Sequence, residues 1–312
     1  MNVLLTFDNN YTQHACVVTT SFCHNNPGRH NFYIISDNIS DNNQEKIAKL
    51  VKSYKGNIEF FFIKKEEITD FPIGEKTANS YVSLATYFRL FMFDVLPISI
   101  NKILYLDCDI IVNCSLEKLW NYNSDSCILA IEDNITYTKN NCKRLQYNEM
   151  YSYFNAGILL INLQEARFLL NIKIASEYIR THKIIYHDQD VLNGIFHDKK
   201  TFIDVKYNLL DIYLVKNAPI PDRYKDQISD AIKNPYIIHF SGPLKPWHKE
   251  CKNPYKNLYY KYLKMTPWRD YKPVYKYNTI KERTLYLTKL TLKYILEKLH
   301  IKYYSFIDIK KI

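Results

Sequence analysis

The run Lys102-Ile103-Leu104-Tyr105-Leu106-Asp107-Cys108-Asp109-Ile110-Ile111-Val112 constrains the fold more than any other stretch of this chain. Four apolar residues lead into two carboxylates that flank one cysteine, and three β-branched residues follow. Apolar density of this kind predicts a strand buried on both faces, as in a mostly parallel sheet covered by helices. On an extended backbone Asp107 and Asp109 project from the same face. Neighbouring carboxylates at the end of a buried strand repel each other, and a divalent cation or a cationic ligand relieves that repulsion. Ligands of open α/β sheets lie beyond the carboxyl ends of the strands, where this pair falls. Asp-x-Asp is also a short, common pattern, and two turn aspartates at a strand end are the alternative reading.

The flanking sequence supplies the rest of such a sheet. Residues 3–7, 30–36 and 57–63 read as strands, and residues 12–22 and 40–54 as helices. The second helix carries Ile47, Leu50, Val51 and Tyr54 on one face, with Ser40 as its cap. This alternation predicts a Rossmann-like parallel sheet. The first strand ends in Asp8-Asn9-Asn10 rather than in a glycine-rich loop. Those side chains suit hydrogen bonds to a base or ribose, or a simple polar turn, and disfavour a dinucleotide cofactor. Residues 79–93 read as a helix with one cation, Arg89, among apolar neighbours. A buried Arg89 requires a carboxylate or phosphate partner; a surface Arg89 would bury only its stem.

Residues 127–131 form a further strand ending in Glu132-Asp133-Asn134, and the polar residues 134–150 read as a mobile loop. Residues 153–163 are a second apolar strand. Its entry sets Asn155 beside Ala156 and Gly157, where a ligand could approach the backbone. A helix over residues 163–182 follows. His187-Asp188-Gln189-Asp190 then opens another helix, in which Asp188 serves either as a cap or as a site residue. The strand at 235–240 carries His239, a metal-ligand candidate or a core histidine. It runs into Ser241-Gly242-Pro243-Leu244-Lys245-Pro246-Trp247-His248, a stiff loop with one flexible point and one cation that suits a phosphate clamp.

Taken in order, six segments resemble glycosyltransferase family 8, the glycogenin-related group, and most closely its bacterial lipopolysaccharide and lipooligosaccharide α-galactosyltransferases. They are residues 7–11, 86–90, 104–109, 153–162, 188–190 and 239–248, and the resemblance spans about residues 1–250. It implies a GT-A fold and retaining transfer of a hexose, galactose before glucose, from a UDP-sugar to a saccharide acceptor such as a lipopolysaccharide core. By the same resemblance Asp107, Asp109 and His239 are metal ligands, for Mn²⁺ with Mg²⁺ as the alternative. Thr6, Asp8 and Asn10 match the uridine side, Cys108 accompanies the metal-binding acids, and Gly242 and Lys245 match the diphosphate side. Arg89, Asn155, Asp188 and Gln189 match residues around the donor sugar. An amide at Gln189 is a poor nucleophile, so front-face attack is favoured over a transient covalent bond to Asp188. The loops at 65–80 and 134–150 depart from the family pattern, which leaves the acceptor open.

Charge adds one further expectation. The chain carries a net +10, and residues 268–312 hold eleven Lys or Arg against four acids. With leucines interspersed, this segment predicts a basic amphipathic helix on anionic lipid. The expected division is therefore a catalytic domain over 1–265 and a membrane-association segment over 266–312. Confinement of the charge to the tail argues against nucleic acid as a partner. Seven scattered cysteines without a Cys-x-x-Cys pair suit a reducing compartment. No signal-peptide core or bilayer-spanning run is evident, so the expected location is cytoplasmic, peripheral on the inner face of the membrane. A metal-dependent nucleotide-sugar hydrolase is the rival activity.

Overall fold

The structure, a computed structural model, describes residues 1–69, 71–72, 84–277, 279–301 and 305–309. Its strands are β1 (Asn2–Thr6), β2 (Asn31–Ser36), β3 (Asn57–Phe62), β4 (Lys102–Leu106), β5 (Ile110–Val112), β6 (Ile128–Ala130), β7 (Ile158–Asn162), β8 (Lys200–Phe202), β9 (Leu209–Leu210) and β10 (Ile237–His239). Seven of them form one sheet in the order β3-β2-β1-β4-β7-β6-β8, and β5-β10-β9 form a smaller one. β3, β2, β1 and β4 run parallel, as the sequence predicts, and β7 runs antiparallel to both β4 and β6. The whole is an α/β architecture with a mostly parallel central sheet.

Alternation along β1 explains its central place. Val3 and Leu5 enter a core with Ala15, Val18 and Phe22 of the Thr12–Asn25 helix. Leu4 faces the other way, into a core with Tyr87, Phe88 and Phe91. All three β1 residues are fully buried, each contributing roughly 1.5–3 kcal/mol of hydrophobic stabilisation. The strand is thus covered on both faces, and Asp8 follows its carboxyl end.

Several local expectations change. Residues 102–112 are two strands in two different sheets, because the chain turns at Asp107-Cys108-Asp109 after β4 and re-enters as β5. Of the helix expected over 79–93, a 3-10 helix covers Leu84–Phe91 and a helical turn covers Met92–Val95. Residues 79–83 lie outside the described residues, as do 70 and 73–80 of the expected acceptor loop. The 163–182 helix is two pieces, Leu163–Ala166 and Ile172–Thr181, and Asn171 caps the second by accepting from the Ile174 N–H at 3.0 Å.

Residues 134–150 are not an open loop: Ile135–Arg144 is helical. Tertiary contacts stabilise it against its polar composition, since Arg144 grips the buried Asp190 with two bonds of 2.8 Å. Cys142 and Leu145 pack beside Tyr153. Ser40 stands at a cap position but makes no capping bond, and the Asn9 side chain accepts from its N–H instead.

The carboxy-terminal segment is tied to the rest of the molecule. Val274 exchanges backbone bonds with Trp247 and Lys249 at 3.1 and 2.8 Å. A helix over Ile280–Lys298 starts from a Thr279–Glu282 capping box. Beyond it, the Ile307 N–H donates to Leu214 O at 2.8 Å. Among the described residues no helix is long and apolar enough to cross a membrane.

Candidate active site

Topology brings the predicted residues to one edge. β1 and β4 are parallel neighbours, so Asp8 and Asp107 follow strand ends on the same side. β7 is antiparallel to β4 with Leu106 opposite Ile158, which returns Asn155, Ala156 and Gly157 to that edge. The Asp107 N–H seals the junction by donating to Gly157 O at 2.8 Å. β10 is antiparallel to β5 with His239 opposite Ile110, which sets the imidazole beside Asp109.

The result is a tight cluster of three ligand-bearing groups. One atom each from Asp107, Asp109 and His239 lie within 4.8 Å of one another. His239 Nε2 is 3.3 Å from Asp109 Oδ1 and 3.9 Å from Asp107 Oδ2. Burial works against a charge on His239, but Asp109 and Asp107 outweigh it and hold its pKa above the ordinary value. Burial likewise opposes ionisation of Asp109, yet Lys245 and His239 pull its pKa down. Lys245 Nζ sits 2.6 Å from Asp109 Oδ2 and donates to Phe240 O at 2.8 Å.

The donor set fits a divalent cation. Asp109 Oδ1 is buried without a hydrogen-bond partner. The His239 tautomer is fixed from behind: Asn208 Nδ2 donates to Asn155 Oδ1 at 2.9 Å, so its Oδ1 faces His239 Nδ1 and accepts there at 2.9 Å. Nε2 is left facing the two acids, which favour a proton there and which a bound cation would replace as its partner. Gly157 leaves room for this ring, because a Cβ there would lie 2.3 Å from His239 Cε1 and 2.9 Å from Asp107 Oδ2. The sequence suggested a ligand approach at Gly157; the neighbour it admits is His239.

Asn208 lies in a polar link and gave no sequence signal, although it is fully buried. Asn208→Ala is expected to weaken Mn²⁺ binding about 10- to 100-fold by freeing the imidazole to rotate. Titration calorimetry with Mn²⁺ checks this, and wild-type affinity in the variant would show that the ring needs no such support.

Arg89 is the second organising group. It is 7% exposed and lies 2.8 Å from Asp107 Oδ1 and 2.6 Å from Asp188 Oδ2. It also donates to Ala156 O and stacks on the Tyr105 ring at 4.3 Å. Tyr105 in turn donates to Asp107 Oδ1 at 2.6 Å. Asp188 is buried and accepts from the Thr86 hydroxyl at 2.5 Å, so it is an ion-pair partner rather than a helix cap. Burial raises its pKa and Arg89 opposes that rise.

Gln189 is held at both ends, accepting from the Ala156 N–H at 2.9 Å and donating to Asp133 Oδ2 at 2.9 Å. Asn155 reaches the same Asp133 oxygen at 3.4 Å. Gly242 donates its N–H to Asp211 Oδ2 at 3.0 Å, and burial raises the Asp211 pKa to about 6. Asp133 and Asp211 were not among the residues the sequence singled out for the site.

The uridine-side candidates lie next door. Asp8 Oδ1 accepts from the N–H groups of Asn10 and Tyr11 at 2.9 and 3.2 Å, while the Asn10 side chain is exposed. Thr6 Oγ1 is 3.1 Å from the Tyr105 hydroxyl. The Cys108 thiol is buried against Thr6 O, and burial, then the flanking acids, push its pKa up, so it stays protonated and inert. Beyond Asn155, Gln189 and Gly242 a cleft of about 1350 Å³ opens toward the carboxy-terminal helix.

Comparison with known proteins agrees with this geometry. A putative glycosyltransferase of Haemophilus influenzae is 35% identical over 262 residues, covering 81% of this chain and 74% of its own. A lipopolysaccharide 1,2-glucosyltransferase of Escherichia coli K12 is 29% identical over 280 residues, covering 88% and 80%. The galactosyltransferase LgtC, crystallised with donor and acceptor sugar analogs, superposes with a TM-score of 0.76 at 27% identity, covering 86% of this chain and 96% of its own. With residues 2–251 matching the model of "Glycosyl transferase family 8", a strand-edge acid pair and a lysine-bearing loop in the expected order, the chain belongs to that family and is a glycosyltransferase of GT-A fold.

Proposed function

We propose that the protein transfers a hexose with retention of anomeric configuration from a UDP-sugar to a saccharide acceptor of the bacterial envelope. Galactose is the donor sugar we infer and glucose the alternative, since relatives of both kinds are similar to this chain. The observation that carries the reading is the convergence of Asp107, Asp109 and His239 within 4.8 Å, with a buried carboxylate oxygen left unbonded.

Asp107, Asp109 and His239 would hold Mn²⁺, which a nitrogen ligand favours over Mg²⁺. Such an ion, when bound, supplies Lewis-acid neutralisation of the diphosphate. Lys245 and the Gly242 loop are the groups we assign to the diphosphate, the ammonium exchanging Asp109 for the departing phosphate oxygens. Thr6, Asp8, Asn10 and the Cys108 backbone are assigned to the uridine side.

In the transfer itself, the acceptor oxygen bonds to the anomeric carbon as the carbon–oxygen bond to phosphate breaks. The acceptor proton passes to the leaving phosphate oxygen on the same face. Two features support this front-face route. The Gln189 amide is committed to Ala156 and Asp133, and the Asp188 carboxylate to Arg89 and Thr86, so neither is a free nucleophile. Arg89 and Asn155 then orient these groups rather than react.

A membrane role for the tail rests on one face of the Ile280–Lys298 helix, where Leu285 and Leu292, and Leu299 just past its end, are exposed near Lys281 and Lys289. That surface fits an anionic lipid headgroup layer, and with it a cytoplasmic, peripheral location. The catalytic residues would then belong to 1–265 and the lipid contact to 266–312.

The test is a panel of UDP-sugars with Mn²⁺, scored for UDP release with and without saccharide acceptors. Acceptor-dependent release from UDP-galactose is expected. Release indifferent to acceptor would make the protein a nucleotide-sugar hydrolase, and no release from any UDP-sugar would refute the proposal.

A further inference from the structure

The cleft beside Gln189 has two walls of different origin. Its floor is the catalytic domain, through Asp133, Asn155 and Gln189. Its outer wall is the carboxy-terminal helix, through Tyr286, Leu290, Tyr294 and Glu297. The spacing of these four, at intervals of four, four and three, is a single helical face. That face is opposite in character to the one carrying Leu285, Leu292 and Leu299. At about 1350 Å³ the cleft exceeds the roughly 300–1,000 Å³ of a site for one small ligand, so a donor sugar alone leaves much of it open.

The wall is anchored at both ends. Before it, the Lys276 N–H donates to Glu250 at 3.1 Å and Arg283 stacks on Tyr275 at 4.0 Å. After it, the Ser305 N–H donates to Glu297 at 3.1 Å, and Lys216 donates to Ser305 O at 3.2 Å. Yet no described residue of the helix is fully buried, and Tyr294 is 62% exposed. Tyr277 packs on the Tyr286 ring at 4.9 Å and the Lys298 ammonium lies 5.5 Å from the Tyr294 ring, so each tyrosine is steadied from one side while it lines a cleft that also holds side-chain amides and a carboxylate, a lining that suits sugar rings. Their C–H faces stack on the tyrosines while their hydroxyls bond the polar floor.

Charge narrows the ligand further. The acids Asp133, Asp211, Glu250, Glu297 and Asp308 line the cleft. Its lysines are Lys252 and Lys293, so the lining is acidic although the chain as a whole is basic. Like-charge repulsion disfavours phosphorylated or carboxylated sugars at this place.

We infer that the Ile280–Lys298 helix is the outer wall of the acceptor site, and that Tyr286 and Tyr294 stack on the rings of an uncharged oligosaccharide. This rests on the glycosyl-transfer reading above, and it makes the tail part of the binding cleft as well as a surface for lipid.

Saturation-transfer NMR on the full chain loaded with diamagnetic Mg²⁺ and UDP tests it, with lactose and maltotriose as neutral probes and 3′-sialyllactose as the acidic one. The neutral probes are expected to bind at least about fivefold more tightly than the acidic one. Tyr286→Ala and Tyr294→Ala should each weaken the neutral probes about tenfold, with the UDP affinity measured by calorimetry unmoved. Equal binding of acidic and neutral probes, no neutral binding, or wild-type affinity in both variants would overturn the inference. So would faster transfer by a chain ending at Pro267, which would make the tail a lid. Loss of UDP binding by the wild-type protein would instead overturn the transfer reading itself.

Discussion

Asp109→Asn is expected to lower the transfer rate roughly 10²- to 10³-fold while leaving the fold intact. The asparagine fills the same volume, and its carbonyl still accepts from Lys245, now 2.6 Å from Oδ2. What changes is the other oxygen, which is buried, unbonded and 3.3 Å from His239 Nε2. An amide nitrogen there would donate to the imidazole, so one substitution would remove one of the proposed metal ligands and block a second. Because Lys245 and His239 hold the Asp109 pKa down, the folded chain favours the charged carboxylate, and the variant should also lose some thermal stability while still folding. Initial rates over a Mn²⁺ series, together with a melting curve, check both halves. A variant that keeps more than a tenth of wild-type rate would show that Asp109 does not serve the reaction.

Arg89→Met is expected to destabilise the protein by about 3–5 kcal/mol. Methionine replaces the buried stem, but Asp107 and Asp188 then face each other at the strand edge with no cation between them. The guanidinium also loses its place over Tyr105 and its bond to Ala156 O. Burial opposes a charge at Arg89, yet Asp107 and Asp188 hold its pKa above the ordinary arginine value, so it stays charged at any working pH. Arg89→Lys restores charge without the fork that reaches two carboxylates, and should recover only part of the loss. The denaturant midpoint reads both variants. A midpoint unchanged in Arg89→Met would mean that the two aspartates are protonated or solvated in the folded chain.

The apolar runs were legible because a strand covered on both faces leaves no choice of residue: Val3-Leu4-Leu5 and Ile103-Leu104-Tyr105-Leu106 admit little else. The acids were legible for the complementary reason, since charge directly after such a run calls for a partner. Local sequence did not show that the chain leaves the large sheet at Asp107, because Ile110-Ile111-Val112 has equal β character in either sheet. The helix over Ile135–Arg144 was hidden because its support comes from Asp190, 46 residues beyond Arg144. Asn208 was hidden in the same way, being 31 residues from His239 and 53 from Asn155. An amide whose role is to aim another side chain carries no periodicity and no charge.

The split of the metal-binding candidates between two sheets has a mechanical consequence. Asp107 directly follows the last residue of β4 in the large sheet, and His239 is itself the last residue of β10 in the small one. An ion held by both would work as a rivet across the seam. Saturating it at a hundred times its dissociation constant would add about 2.7 kcal/mol of resistance to prying the sheets apart. Binding and closure of the seam would then be coupled, since a chain with the seam open keeps the two neighbouring acids but not the imidazole beside them.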